Sequence, residues 1–506
     1  MTFISLNYAL FLIIVLLFYW LIPNKNWRLL ILLIASIAFY STFQFFYIPL
    51  LILSILFNFY LSQEIKENLQ WRGSKIVSNS QPLLLLWFGI IVNILLLLSF
   101  KYIPFIFASI GTLAELPNII KGANWIEKNV VPPLGLSFFC FESIAYLIDI
   151  YRGAPVSQSL KEFTTYKLFF PKLISGPITR YHYWLNQWSN TSEYQQNSRK
   201  NTQTLLPALP TAEQLTEGYW RIAIGALKKS LLADNLGIFV GLSFNNLQRA
   251  GSGDLWLAII AYGLQLYLDF SAYVDIACGT ALLLGLKLPE NFDFPYFTTS
   301  IADFWRRWHI TLGDCLRNYL YFPLGGSRVG LLRTCLNLLI VMLIAGIWHG
   351  AAWGFIIWGL LHGLALVIHR LTDKITIYFK VENIWQNPLI VIISWLITQS
   401  AVFLFWVYFR LPQIGEANWV FHHLFGHSGD VQFAHKVYIE AMGLERINLT
   451  FLMGFLIIGM ILMFWLQKRL KLQLNWPFKL ILSPIFLFLV FLFAPEGALP
   501  YIYFDF

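Results

Sequence analysis

Charged residues are scarce in this chain, at 12% of 506 residues, whereas 58% are hydrophobic and the mean hydropathy is +0.63. Because soluble domains carry roughly 25% charged residues, this composition excludes an ordinary soluble protein. Cysteine is also rare, and the four cysteines have no paired spacing. This pattern excludes a disulfide framework and a cysteine-rich zinc site, so we expect the cysteines to be packing residues.

Several catalytic motifs are missing. No Gly-x-Gly-x-x-Gly opens a helix and no Walker A sequence is present, so nucleotide-driven transport lacks its phosphate-binding loop. The absence of Gly-x-Ser-x-Gly counts against a serine hydrolase. Four histidines lie between positions 422 and 435, but without acidic or cysteine ligands at a supporting spacing. No metal site is therefore predicted.

Long apolar runs are what the chain has in abundance. At roughly 20 residues for each membrane crossing, the pattern predicts about ten or eleven spans and an all-α polytopic membrane protein. The clearest runs are 6–22, 29–43, 47–61, 82–100, 255–270, 336–347, 354–368, 388–409, 451–466 and 480–493.

Basic residues predict the orientation, because lysine and arginine are retained in cytoplasmic loops. The formal charge of +9 is therefore first a topology signal, and a nucleic-acid partner is not predicted. The loops after the first and third runs are basic, which places the N-terminus outside and the first run as a retained span without a cleavage site. The basic residues concerned are Lys25, Arg28, Lys66, Arg72 and Lys75, with Lys468, Arg469, Lys471 and Lys479 in a third cytoplasmic loop.

The pattern along the chain predicts one membrane domain, 1–506, in three parts. Residues 1–129 and 371–506 contain plain apolar runs, which we interpret as wall helices, the latter with a loop. Between 130 and 370, prolines break the runs and charges lie at apparent membrane depth, which is tolerated only inside protein or beside a wet cavity. This middle part is the predicted catalytic core. Polar segments 189–212 and 411–446 are predicted loops outside the bilayer.

A histidine in an apolar run is the first candidate for chemistry. His349 lies in GIWHGAAWGFIIWGLLHG (346–363), where solvation cost requires a justification. Gly346, Gly350 and Gly354 have helical spacing and would clear one helix face for another backbone or a thin substrate arm. The functional interpretation makes His349 a neutral general base. The structural alternative is a histidine that forms an interhelical hydrogen bond.

A second candidate segment is DFWRRWH (303–309). Asp303 precedes Arg306 and Arg307 at helical pairing distance. One interpretation is an interfacial amphipathic helix. In the other, the segment dips inward, His309 approaches His349, and the arginines meet an anionic group such as a carrier phosphate.

Two carboxylates near apolar sequence, Glu142 and Asp149, are seven residues apart and share a helix face. Pairing with arginines such as Arg152 or Arg180 would make them structural. A proton pathway is the functional alternative.

Taken together, these segments resemble the membrane-bound O-acyltransferase (MBOAT) family, in its bacterial branch that acetylates alginate and, more distantly, transfers D-alanine to teichoic acids. The resemblance runs nearly end to end and includes NFxxPY, DFWRRWH and YLYxPLGG in sequence. The segments that carry it are 93–102, 133–153, 169–181, 225–235, 264–297, 303–326, 347–363 and the terminal PYIYFDF.

The resemblance implies a ring of tilted helices around a core of shorter helices, with a funnel from each face. It implies His349 as the marked histidine in WHG and His309 as its partner. It also implies transfer of an acyl group, expected to be acetyl, from a thioester donor to hydroxyls of an exported polysaccharide, directly or through a partner acetyltransferase outside the bacterial plasma membrane. Acetyl-CoA or an acyl-carrier protein would be the co-substrate, and no bound cofactor is expected. Candidate donor- or substrate-binding residues are Arg306, Arg307, Lys172, Trp348 and Asn318.

Alternatives remain open at this point. One is D-alanyl transfer to teichoic acid-like polymers. Another is a transporter of a small acyl species without covalent chemistry, although the lack of an internal repeat weakens it. A passive scaffold that recruits cell-wall enzymes would tolerate changes at both His309 and His349.

Overall fold

The structure is a computed structural model that describes residues 1–69, 71–72, 75–76, 80–188, 210–495, 497 and 499–504. Most of the predicted polar loop 189–212 lies outside the described residues. Regular secondary structure in the described part is helical apart from one hairpin of two-residue strands and one isolated bridge between Phe292 and Trp308, which confirms the predicted all-α class. The α-helices are α1 (Leu6–Leu21), α2 (Lys25–Gln44), α3 (Ile48–Asn68), α4 (Ser80–Lys101), α5 (Ile103–Leu113), α6 (Pro117–Asn129), α7 (Leu136–Tyr151), α8 (Leu160–Leu168), α9 (Tyr181–Trp188), α10 (Ala212–Leu227), α11 (Asp234–Asn245), α12 (Ser252–Leu283), α13 (Ile301–Arg307), α14 (Ile310–Leu316), α15 (Leu331–His349), α16 (Trp353–Tyr378), α17 (Pro388–Arg410), α18 (Ile414–His422), α19 (Val431–Ala434), α20 (Arg446–Phe464) and α21 (Trp476–Phe493).

Shorter elements join or extend these helices. Strands β1 (Trp71–Arg72) and β2 (Lys75–Ile76) pair antiparallel. Turns of 3₁₀-helix are Phe45–Tyr47, Leu247–Arg249, Pro295–Phe297, Glu382–Gln386 and Ile502–Phe504. Wider π-helical turns are Lys228–Ala233, Arg317–Tyr321, His435–Ala441 and Trp465–Arg469.

Eight segments of the described chain are long and apolar enough to cross a membrane. This number is below the predicted ten or eleven because α2 and α3 form one 44-residue segment, and because α1 and α5 have only 16 and 11 residues. The segments are Lys25–Asn68, Ser80–Lys101, Ser252–Leu283, Leu331–His349, Trp353–Tyr378, Pro388–Arg410, Arg446–Arg469 and Trp476–Phe493. The chain is thus a multi-pass membrane protein.

The fold divides into two compact units. The first contains Met1–Ile222, Tyr273–Pro289 and Tyr503–Phe506, and the second contains Ala223–Ala272 and Glu290–Ile502. The predicted three-part division at 129 and 370 stays a prediction. His309 and His349 both belong to the second unit.

In the first unit, polar side chains join neighbouring helices. Asn58 in α3 and Asn93 in α4 exchange amide hydrogen bonds of 3.3 and 2.9 Å. Glu142 in α7 binds the ammonium of Lys172 at 2.6 and 2.7 Å and accepts the backbone N–H of Thr179 at 3.0 Å. The expected arginine partner of Glu142 is wrong, because its partners are lysines: Lys172, from a non-helical segment, and Lys167 in α8, at 3.8 Å. Whether Glu142 has a structural role or belongs to a proton pathway stays a prediction.

In the second unit, the segment between α17 and α20 is more ordered than predicted. It contains α18, α19 and a π-helical turn, whereas the polar composition of 411–446 predicts only a loop. The difference arises because this segment packs against the start of α12. For example, the indole of Trp256 donates to the carbonyl of Leu424 at 3.0 Å.

Candidate active site

His349 lies inside an aromatic enclosure. It is the last residue of α15, since the backbone turns to an extended conformation at Gly350. Its imidazole is 2% exposed, and the rings of Trp348, Trp358 and Phe409 lie at centroid distances of 4.8, 5.0 and 5.0 Å. Burying a polar ring this deeply costs solvation free energy, and buried ionisable residues of membrane proteins are commonly functional.

Of the three glycines near His349, Gly346 lies in α15, Gly354 lies in α16 and Gly350 lies between the two helices. Helix α15 ends before Gly350 and α16 begins after it, so Gly346 and Gly354 are not on one helix. A Cβ on Gly346 would lie 2.3 Å from the backbone oxygen of Phe355, and one on Gly359 would lie 3.2 Å from the Cα of Gly346. The prediction of one glycine-cleared helix face is therefore wrong. Gly346 and Gly359 let the backbones of α15 and α16 approach each other. Close approach of another backbone was one of the two uses predicted for the glycines.

The backbone of His309 adopts a left-handed conformation, with φ 46° and ψ 54°. This conformation is uncommon outside glycine and is concentrated at functional sites. Asn291, which is fully buried, holds the following residues in place. Its backbone oxygen accepts the N–H of Ile310 at 3.0 Å, and its Oδ1 accepts the N–H and hydroxyl of Thr311 at 3.0 and 2.7 Å. The segment that contains Asn291 precedes α13 in the sequence. Its hydrogen bonds thereby fix the break between α13 and α14.

The imidazole of His309 is 1% exposed and faces the ring of Phe270 at 4.8 Å. His309 lies outside the eight candidate spans. Burial lowers the pKa of His309 to about 3. The ring is therefore neutral at physiological pH, with one N–H donor and one acceptor nitrogen.

The indole of Trp348 lies beside both histidines. Its centroid is 6.2 Å from that of His309 and 4.8 Å from that of His349, so the two imidazole centroids are at most about 11 Å apart. Trp348 is itself 4% exposed. The structure therefore brings together three of the residues predicted from the sequence.

The polar residues predicted to accompany His309 have different environments. Arg306 is exposed, whereas Arg307 forms the predicted ion pair with Asp303 at 3.0 Å. Asn318 is half-buried, and its side-chain amide donates to the carbonyl of Asp314 at 2.7 Å. Their binding of a donor or substrate stays a prediction.

Lys172, the remaining predicted site residue, belongs to the first unit. Its ammonium is bound to Glu142 and lies 4.2 Å from the ring centre of Tyr166. The side chain is only 2% exposed. This buried ion pair does not favour the predicted contact with a donor phosphate, which stays a prediction.

The sequence analysis did not select a third histidine, His362, as a site residue. It is fully buried in α16, and its ring centroid is 4.9 Å from that of Trp358, which also contacts His349. Trp305 donates its indole N–H to Nδ1 of His362 at 3.3 Å, so the ring proton is on Nε2. The signal available in the sequence was its place in the same run of tryptophans and glycines as His349.

We expect replacement of Asn291 by alanine to lower the turnover of this site about 10- to 100-fold. The change removes the acceptor of two Thr311 donors and releases the strained backbone at His309. Thr311→Val removes only the hydroxyl bond and should have a smaller effect. Steady-state kinetics with a thioester donor measure kcat, which should fall while the donor KM stays nearly constant. Full turnover by Asn291→Ala would show that this residue does not position His309.

Comparison with known proteins identifies a family. A family model described as MBOAT, membrane-bound O-acyltransferase family, matches residues 125–409, a range that contains both His309 and His349. This range exceeds half of the chain.

Individual relatives extend the similarity. The chain is 35% identical over 442 residues to a peptidoglycan O-acetyltransferase of Helicobacter pylori, covering 82% of this chain and 77% of that protein. It is 34% identical over 397 residues to a probable alginate O-acetylase of Pseudomonas aeruginosa, covering 78% of this chain and 69% of that protein. A teichoic acid D-alanyltransferase of Streptococcus thermophilus is 31% identical over 250 residues, covering 47% of this chain and 56% of that protein.

Proposed function

Because the chain belongs to the membrane-bound O-acyltransferase family, we propose that it transfers an acetyl group from a cytoplasmic thioester to a hydroxyl of an exported polysaccharide. The observation that carries the proposal is the pair of buried histidines whose rings both lie beside that of Trp348. Acetyl is preferred to D-alanyl because the two acetylating relatives match most of the chain, whereas the D-alanyl relative matches 47% of it.

His349 would act as the general base. Its imidazole removes the proton of the acceptor hydroxyl while the oxygen attacks the thioester carbonyl. The C–S bond then breaks, and the imidazolium returns the proton to the leaving thiolate, so that an ester and a free thiol result. General-base catalysis of this kind contributes about 10² to 10⁴ in rate.

His309 would stabilise the tetrahedral intermediate. As a neutral imidazole with one N–H, it can donate a hydrogen bond to the developing oxyanion or orient the acceptor. Its constrained backbone supports this role, because a donor fixed before the reaction needs no reorganisation when charge develops.

The distribution of basic residues supports an orientation for the second unit. The α20–α21 connection is basic and would face the cytoplasm, whereas the α17–α20 segment mixes basic and acidic residues. Helices α17 and α20 then cross in opposite directions, and the His349 end of α15 faces outward, as does the N-terminus. The residues concerned are Lys468, Arg469, Lys471 and Lys479 near the α20–α21 connection, against Arg410, Lys436, Arg446, Glu416, Asp430, Glu440 and Glu445 in or next to the α17–α20 segment.

The bacterial plasma membrane is the proposed location. The thioester would be acetyl-CoA or an acetylated carrier protein, since both present the same pantetheine arm. An acetyltransferase outside the membrane would receive the acetyl group if transfer to the polysaccharide is relayed.

Labelled acetyl thioesters test the proposal. The purified protein in detergent is given [¹⁴C]acetyl-CoA or acetylated carrier protein together with a polysaccharide acceptor. We expect release of free thiol in proportion to labelled ester on the acceptor. A transporter would release no thiol in detergent, where no gradient exists, and that result would contradict the proposed reaction.

A further inference from the structure

Helix α16 carries an arginine within a candidate membrane span. Residues 353–368 contain no Asp, Glu, Lys or Arg, and Arg370 follows, eight residues before the helix ends at Tyr378. The Nε atom of Arg370 is buried and has no hydrogen-bond partner among the described residues. Asp373, the next carboxylate along the helix, pairs with His369 at 3.4 Å. Charged side chains within spans are rare and are usually paired, so we expect an anion from outside the described chain to be the partner of this guanidinium.

The packing of α15 against α16 places a second arginine at the same level. Arg333 is the only Lys, Arg, Asp or Glu in α15. A Cβ on Gly363 would lie 3.3 Å from the Cα of Leu339, which gives the register of the two antiparallel helices. Arg370 is seven residues after Gly363 and Arg333 is six before Leu339, so both lie roughly 10 Å from that contact, in the same direction. A step of seven residues also returns to the same side of a helix, so Arg370 lies on the side of α16 that faces α15.

The turn before α15 adds a hydroxyl to this level. The side-chain amide of Asn337, fully buried in α15, donates to the carbonyls of Leu324 and Gly326, each at 3.1 Å, and so fixes the turn against the helix. Tyr321 begins this turn. Burial raises the pKa of the Tyr321 hydroxyl, and the positive charge of Arg370 opposes the rise. The hydroxyl therefore lies within electrostatic reach of the guanidinium.

The neighbours of these basic residues are apolar and exposed. Phe322, Leu332 and Ile368 are 56%, 87% and 64% exposed. In a multi-pass membrane protein, such side chains at the end of a span face lipid. Arg333 is exposed among them. The two arginines thus lie at the edge of the bilayer, on the face opposite to His349, which is the cytoplasmic face in the proposed orientation.

We propose that Arg333 and Arg370, together with the hydroxyl of Tyr321, bind the phosphate of an anionic phospholipid where α15 begins. A guanidinium binds a phosphate through two parallel hydrogen bonds, and basic pockets between membrane helices bind anionic headgroups. The apolar neighbours suit the acyl chains of that lipid, whereas a water-soluble phosphate compound would leave them without a partner. The bound lipid joins α15 to α16 at the end of the helix pair that lies away from His349.

Displacement of a fluorescent phosphatidylglycerol from the full-length protein in neutral detergent micelles tests the site, with no thioester or acceptor present. We expect unlabelled phosphatidylglycerol to displace the probe about tenfold more effectively than phosphatidylcholine with the same acyl chains, because phosphatidylcholine has no net negative charge. Arg370→Gln should weaken the binding of phosphatidylglycerol about tenfold through loss of the charged hydrogen bonds. Lys471→Gln, which removes one exposed positive charge in the α20–α21 connection, should bind as wild type does.

Arg333→Gln, at the exposed arginine, provides a second variant if Arg370→Gln does not fold, with an expected loss of about threefold. Wild-type affinity in the variant that folds, or equal displacement by the two lipids, would overturn the proposal. Glycerol phosphate and coenzyme A are the water-soluble competitors. Displacement by either of them at a lower concentration than phosphatidylglycerol would also overturn it and would indicate a soluble phosphate ligand.

The lipid site and the proposed acetyl transfer fail separately. If the protein binds phosphatidylglycerol through Arg370 but releases no thiol from acetyl-CoA, the lipid site stands and the proposed reaction falls. If it transfers acetyl groups while Arg370→Gln binds the lipid normally, the opposite holds.

Discussion

Replacement of His349 by alanine is expected to abolish acetyl transfer while the protein still inserts into the membrane. The imidazole is the proposed base for the acceptor hydroxyl, and the aromatic rings around it supply no other proton acceptor of comparable strength. We therefore expect a loss of at least about 10² to 10⁴ in kcat. The loss in kcat is measured by the rate at which free thiol is released from labelled acetyl-CoA, with and without acceptor.

Loss of packing must be separated from loss of the base in this experiment. His349→Phe retains an aromatic ring in the enclosure and should also be inactive, although it unfolds near the wild-type temperature. His435→Ala, at an exposed histidine of the α17–α20 segment, should retain wild-type transfer. Turnover by His349→Ala at the wild-type rate would remove the proposed mechanism, because another group would then have to act as the base.

Gly346→Ala is expected to destabilise the protein by about 3 kcal/mol, through overpacking between α15 and α16. The new Cβ would lie 2.3 Å from the carbonyl oxygen of Phe355, and a backbone atom cannot move aside as a side chain can. The two helices must separate, and the enclosure of His349 opens with them, since Trp358 is on α16 and His349 ends α15. Thermal unfolding in detergent and the yield of folded protein measure the effect.

A second glycine provides the matched control. Gly454 lies in α20, and a Cβ there would meet no atom within 4 Å. Gly454→Ala should therefore be neutral or stabilising by up to about 1 kcal/mol, because alanine is the better helix former. If Gly346→Ala unfolds at the same temperature as Gly454→Ala, the close approach of the two helices is not required for stability.

The sequence predicted much of the candidate site because the evidence was local. Histidine and tryptophan in one apolar run, and a second histidine after two arginines, are visible without a fold. In the structure His309 and His349 both lie beside Trp348, and the predicted pairing of Arg307 with Asp303 is present. Local spacing was misleading at Gly354, because three residues, 350–352, leave the helix and reverse the chain.

Other features depend on contacts that no spacing reveals. Asn291 reaches Thr311 from outside α13 and α14, and His362 is tied to the site through rings that include Trp305 and Trp358. The sequence places Asn291 in NFxxPY and His362 in the run that contains His349, but it does not show these contacts. Their proposed roles depend on the tertiary contacts that they form in the folded protein.

Composition and the long apolar runs together determined that this protein is an all-α, multi-pass membrane protein. Backbone groups in lipid are satisfied only in helices or closed barrels, and long continuous apolar runs are typical of helices. Residue types and their order indicated the family, and the resemblance predicts His309 and His349 as its two marked histidines. Only the tertiary structure decided what surrounds each imidazole, which backbone segment holds His309 in its left-handed conformation, and that Glu142 takes a lysine as partner. Burial and hydrogen bonding between distant residues are set when helices pack, and the order of residues along one helix does not contain that information.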